Sequence, residues 1–194
     1  MDPAGNFSDE DMIFNLNIIG LAYVINMEYM FYECSSLTSI NLSNFNTSSA
    51  TNMNSMFYNC SSLTSINLSN FDIDSVTNMG YMLSGCSLLE SIDLSHFITP
   101  KLEDISYMFS GCSSLTSLDF SFFDTTKLRY INYLFNNCTK LSYIDISTFH
   151  NSLNYEDAFF NLNNSGIIKI NKNISIIIKT IFNNSYNNWE IIEN

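Results

Sequence analysis

Basic side chains are scarce in this sequence: seven lysines and arginines stand against nineteen aspartates and glutamates in 194 residues, a net charge of −12. A nucleic-acid binder needs a basic footprint to displace phosphate counterions, so that class is excluded. The same charge argues against docking on an anionic membrane surface. Long apolar runs are missing too. Nothing approaches the roughly 18–20 residues needed to span a bilayer, and the most apolar stretch, ISIIIKTIF at 174–182, carries Lys179. The opening MDPAGNFSDEDM has no basic region followed by an apolar core, so no signal peptide is legible there. Glycines number six and never cluster, which leaves no phosphate-cradling loop. The two histidines, His96 and His150, form no defined trio with Ser and Asp. A tetrahedral zinc site is not expected either, since no histidine sits near the cysteines. No cofactor and no catalytic residue is expected. A basic, cationic or uncharged partner remains open.

What the chain does have is repetition. Cysteines fall at Cys34, Cys60, Cys86, Cys112 and Cys138, each step 26 residues with no insertion. Met30, Met56, Met82, Met108 and Leu134 keep the same register, as do Leu37, Leu63, Leu89, Leu115 and Leu141. Two more apolar columns run Ile40, Ile66, Ile92, Leu118, Ile144 and Leu42, Leu68, Leu94, Phe120, Ile146. A fifth holds phenylalanine throughout: Phe45, Phe71, Phe97, Phe123 and Phe149. Five copies in register predict a solenoid, in which stacked neighbours complete a core that one repeat cannot bury alone.

Periodicity divides each copy. Met27, Met30, Phe31 and Cys34 recur at i, i+3, i+4 and i+7 and predict a short helix. In LTSINLS, Ile40 and Leu42 alternate with Ser39, Asn41 and Ser43, which predicts a half-buried strand. The turn Thr99-Pro100 resembles a helix cap followed by proline at the first helical position. The expected fold class is α/β: a single domain over 1–194, with a parallel sheet of about six to seven strands on one side and short helices on the other. Residues 1–26 form an N-terminal half-repeat, because Phe14, Leu16, Ile19 and Val24 precede Ile40, Leu42, Phe45 and Ala50 by 26. Residues 27–156 hold the five repeats. Residues 157–194 form a C-terminal cap of strand, helix with Asn173 as N-cap, and closing segment around Trp189.

The spacing L-x-x-I-x-L-x-x-F is similar to the leucine-rich repeat. More narrowly, the unit MxxMFxxCxxLxxIxLSxFxT resembles the BspA-like leucine-rich repeats, a 26-residue bacterial surface-protein repeat, over about residues 25–150. The resemblance implies a secreted or surface-attached binding protein, often discussed as an adhesin, and hence a chain trimmed of its signal sequence and anchor. Phe45 and its equivalents stand where ordinary leucine-rich repeats bury asparagine, so an aromatic spine replaces the amide ladder.

The cysteines read as small buried thiols, since stacked side chains point in parallel and suit a disulfide poorly. The informative polar feature is the outward row: Ser39, Asn41, Ser43; Ser65, Asn67, Ser69; Ser91, Asp93, Ser95; Ser117, Asp119, Ser121; and Tyr143, Asp145, Ser147. Asp93, Asp119 and Asp145 would stack about 5 Å apart, each pair repelling by roughly 0.8 kcal/mol in water. Such a row is kept for a protein or glycan partner, or simply for solvation; a line of carboxylates offers calcium few of its six to eight oxygens. The candidate partner-binding face is therefore Ser39, Asn41, Ser65, Asn67, Ser91, Asp93, Ser117, Asp119, Tyr143 and Asp145. A second row, Tyr29, Tyr81, Tyr107 and Tyr133 with Tyr32 and Tyr58 nearby, reads either as interface or as rings packed between helices. Asn41, Asn46, Asn59, Asn67 and Asn137 open glycosylation sequons that matter only in a eukaryotic secretory protein. The expected function is a non-enzymatic interaction module, with a spacer segment of a larger surface protein as the alternative. Oligomeric state stays open.

Overall fold

A computed structural model describes residues 24–155, 157–185 and 188–194. The chain is mixed α/β. Among the described residues four parallel strands form one sheet in chain order: β1 (Ser117–Asp119), β2 (Tyr143–Asp145), β3 (Ser165–Ile170) and β4 (Asn188–Glu193). An α-helix, α1 (Ser175–Ser185), follows a 3-10 turn at Lys172–Ile174. The register aligns Leu118 with Ile144 and Ile168, and Asp119 with Asp145 and Lys169. Expected apolar columns form the core: Met56, Met82, Met108, the leucines from Leu37 to Leu141 and the phenylalanines from Phe45 to Phe149 are all buried. Met30, Cys34, Ile66 and Ile92 are only partly covered. Each fully buried side chain of this size stabilises by roughly 1.5–3 kcal/mol.

The short helices expected in each repeat are absent among the described residues, and turns replace them. Donors alternate. The N–H groups of Met27, Tyr29, Phe31 and Glu33 reach across to the carbonyls of Asn52, Asn54, Met56 and Tyr58 at 2.7–3.2 Å. Between them, Met30, Tyr32 and Cys34 bond back three residues within their own repeat. The same pattern recurs at Met53, Met79 and Ile105. An α-helix would bond every N–H beyond its first turn internally, whereas the donors that cross to the next repeat here are spread along the whole segment. Here half of the donors tie one repeat to the next. The apolar spacing suits either solution, which is why it misleads. Thr99 likewise caps no helix: its buried hydroxyl donates to the Asp124 carbonyl of the next repeat at 3.1 Å.

Among the described residues the sheet is also shorter than the expected six to seven strands. In the first three repeats the strand segments share single long bonds, Thr64 N–H to Thr38 O at 3.4 Å and Glu90 N–H to Thr64 O at 3.3 Å. Regular pairing starts at Ser117. Bonds are tighter on the turn side, so repeat spacing is set there and the strand side opens.

At the C-terminal end a strand and a helix follow in the expected order, and the expected closing segment around Trp189 is the strand β4. The capping differs: Asn173 lies inside the 3-10 turn that precedes α1, and Asn171 caps that turn, its side chain accepting the Asn173 N–H at 2.9 Å. The half-repeat inferred at 1–26 falls mostly outside the described residues; Val24 packs, partly buried, against the core.

Candidate functional site: the polar strand face

Asparagine and aspartate close the corner at the end of each strand segment. Asn41, Asn67, Asp93, Asp119 and Asp145 each accept, through Oδ1, the N–H of the serine two residues on, at 2.8–3.0 Å. A side-chain oxygen in this position imitates a backbone turn and redirects the chain. The row expected to exist only for a ligand or for water therefore also has a structural task, shared by Asn and Asp. Two further corners use the same device, at Asn26, Asn52, Asn78 and Asp104 and at Asn46, Asp72 and Asp124.

Ser39, Asn41, Ser65, Asn67, Ser91, Asp93, Ser117 and Asp119 are all exposed, and Tyr143 is half-buried. Asp145 departs from the expectation: it is buried. Lys169 Nζ lies 3.8 Å from its Oδ2, Ser147 Oγ donates to Oδ1 at 2.6 Å, and the Tyr143 hydroxyl donates at 3.5 Å. Lys169 also sits 5.3 Å from the Tyr143 ring centroid, and its pKa is raised, by Tyr143 first and then by Asp145 and Asp119. One ammonium thus ends the row of like charges that the sequence places along the stack. The exposed face runs from the first repeat to the fourth.

Between the second and third repeats, where the strand side opens, this face holds a depression of about 230 Å³ lined by Ser65, Asn67, Ser69, Ser91, Asp93 and His96 together with Ile66, Leu68 and Ile92. Two bonds from Ser95, backbone N–H first and hydroxyl second, hold the Asp93 carboxyl below its ordinary range. His96 Nε2 lies 2.8 Å from the Leu68 carbonyl, which only accepts, so Nε2 carries the proton. His96 was not expected in the site; its place just after the strand segment was the available signal.

His150 makes no catalytic constellation. Its Nε2–H goes to the Leu128 carbonyl at 3.1 Å, and Nδ1 accepts the Ser152 hydroxyl at 2.6 Å. His150 stands in the column of Asn46, Asp72 and Asp124, but its ring takes a hydroxyl and not the backbone N–H of the corner. Asn46 and Asp124 take such a hydroxyl, from Ser48 and Thr126, in addition to the corner bond. No carboxylate orients the ring. Among the described residues no group of three or more His, Cys, Asp or Glu is placed to hold a metal ion, and no helix is long and apolar enough to cross a membrane. The five cysteines form no disulfide; Cys60, Cys86, Cys112 and Cys138 donate Sγ–H to the carbonyls of Phe31, Phe57, Leu83 and Phe109 at 3.0–3.3 Å.

The tyrosine row stacks on itself, with no helices to pack between. Ring centroids lie 4.4 Å apart for Tyr81–Tyr107 and 4.8 Å for Tyr107–Tyr133. Tyr58 fills the break at Ser55, 4.9 Å from Tyr32 and 6.3 Å from Tyr81. Tyr29, Tyr81, Tyr107 and Tyr133 all occupy the left-handed region, φ 54–60. For Tyr81 or Tyr107 that conformation costs about 1–2 kcal/mol, against about 0.5–1.5 kcal/mol from a stacked aromatic pair. Stacking does no more than offset the strain.

No curated protein and no solved structure matches the chain. One family matches repeatedly along it, over residues 7–91, 25–149 and 64–175, the overlap that a repeating unit produces. By that coverage the chain belongs to DUF285, the family described as Mycoplasma protein of unknown function.

Proposed function

We propose that the chain is a solenoid of the BspA-like leucine-rich-repeat kind that acts, secreted or at a cell surface, as a non-enzymatic interaction module. Its partner, a protein or a glycan, docks on the exposed Ser/Asn/Asp row of the strand face. The observation that carries this reading is the depression beside Asp93 and His96, where polar side chains of the row surround an apolar component from Ile66, Leu68 and Ile92. Recognition there works by shape and hydrogen bonding. Serine hydroxyls donate and accept, and each aspartate keeps a second oxygen that its corner bond does not use.

The corner geometry supplies a clean test. Asp93→Asn with Asp119→Asn preserves the turn, because Asn41 and Asn67 already make it in the first two repeats. The double variant melts like the parent and loses binding to the partner recovered from a screen of glycans, matrix proteins and cell surfaces. Undiminished binding would sink the reading. It would favour the alternative of a spacer segment in a larger surface protein, which the structural task of every Asn/Asp in the row supports.

A further inference from the structure

On the turn side, Tyr29, Tyr32, Tyr58, Tyr81, Tyr107 and Tyr133 form one unbroken series of ring contacts, with centroids 4.4–6.3 Å apart. Tyr29 and Tyr32 are 55% and 42% exposed. Carboxylates accompany the series. Glu28 and Glu33 neighbour Tyr29 and Tyr32 and act on their phenols, as Asp104 and Asp157 act on Tyr81 and Tyr133. No lysine or arginine precedes Lys101. Residues 24–100 therefore carry six carboxylates and no lysine or arginine, and of the six Glu28 and Glu33 lie beside the stripe.

We propose that this acidic tyrosine stripe docks an extended arginine- or lysine-rich segment of a partner protein. The chemistry eliminates the other occupants. A second copy joined symmetrically through this stripe would bring one acidic stripe against another, and an anionic membrane is repelled for the same reason. A sugar ring needs a bare aromatic face, but the faces of Tyr81 and Tyr107 are turned to each other, 6° from parallel. What the stripe offers is a line of phenol oxygens beside carboxylates, acceptors that suit guanidinium and ammonium donors. Where a ring face does stand clear, a cation can sit over it; Lys169 does so over Tyr143 elsewhere in this chain. At strand-like spacing the stripe is about 20 Å long, a length that about six extended residues cover.

The test uses a fluorescein-labelled peptide of alternating arginine and serine, with a glutamate–serine peptide as control, followed by fluorescence anisotropy on the whole chain. The basic peptide binds saturably and the acidic one does not. Glu28→Gln with Glu33→Gln weakens binding about tenfold, and Tyr58→Ser with Tyr81→Ser does the same. Serine already stands in both tyrosine columns, at Ser55 and at Ser84, so the second variant asks for nothing the fold does not contain. On the unmodified chain, tetranitromethane nitration of Tyr29 and Tyr32, read by mass spectrometry, slows when the basic peptide is bound. Absence of saturable binding overturns the proposal, as does parental affinity in the folded tyrosine variant or nitration unaffected by the peptide. Loss of peptide binding in Asp93→Asn with Asp119→Asn would also overturn it, because the site would then lie on the strand face.

Discussion

A thiol that donates to a carbonyl inside an apolar stack keeps its proton far longer than one in water. Burial pushes up the thiols of Cys60, Cys86 and Cys112, and that of Cys138 to about 12. In the unfolded chain the same groups titrate near 9.0. Above that pH the unfolded state sheds protons that the folded state retains, so stability is intact below about pH 9 and falls as pH rises. Each group contributes a slope of about 1.4 kcal/mol per pH unit, and four together about 5–6. Urea unfolding measured from pH 8 to 11 is expected to show this steep loss. Cys86→Ser, which keeps a donor that does not ionise in this range, should remove about a quarter of the slope. At the acid end the sign reverses. Ser95 depresses the Asp93 pKa, and Thr126, hydroxyl first, depresses that of Asp124. Their contribution is present above 3.8 and disappears as pH falls through the lower folded values.

The turn segment is the element that separates sequence from structure. Burial was legible there, because five aligned copies expose which columns are apolar. Conformation was not, because spacing of i, i+3, i+4 and i+7 fits both a helix and a run of turns. A better signal lay four residues further on: Glu33, Asn59, Gly85, Gly111 and Asn137 are mostly the residue types that tolerate a left-handed backbone, and all five adopt it. Tyr29 and its equivalents do the same with no such signal, since tyrosine is ordinarily rare there. On the strand face the exposed Ser/Asn/Asp row was legible from alternation. The cover that Lys169 places on Asp145 was not, because the step between them is 24 residues and leaves the 26-residue register. The two glycines of the left-handed column allow strain and crowding to be measured separately. A Cβ at Gly111 would meet nothing closer than 3.5 Å, so Gly111→Ala costs only the left-handed conformation, about 1–2 kcal/mol. At Gly85 the same atom would come within 2.0 Å of Asn59 Oδ1. Gly85→Ala is therefore expected to cost clearly more in a urea melt, and equal losses would show that the Asn59 side chain swings aside without penalty.

Across the whole molecule, the backbone bonds between repeats join each one to the next, so stability is expected to pass along the stack step by step. The C-terminal end is the place to test this. Phe182 of α1 is buried, with its ring 5.0 Å from Phe159 and 5.4 Å from Trp189. Trp189 Nε1–H donates to the Asn163 carbonyl at 2.9 Å, and Glu193 accepts from Ser175 at 2.6 Å and pairs with Lys179. These contacts close the last repeat with one side chain at their centre. Phe182→Ala should cost about 3–5 kcal/mol at that end. If coupling is between neighbours, native-state hydrogen exchange will show the largest loss of protection in β3 and β4. Smaller losses will follow in β2 and then β1, with the amides of Met53, Phe57 and Leu63 close to their parental rates. The gradient is the decisive readout, because a single cooperative unit would lower protection equally from Met53 to Ile191. Equal lowering would mean that the ladder of turn-side bonds transmits strain along its full length, and that a ligand at one end of the tyrosine stripe is felt at the other.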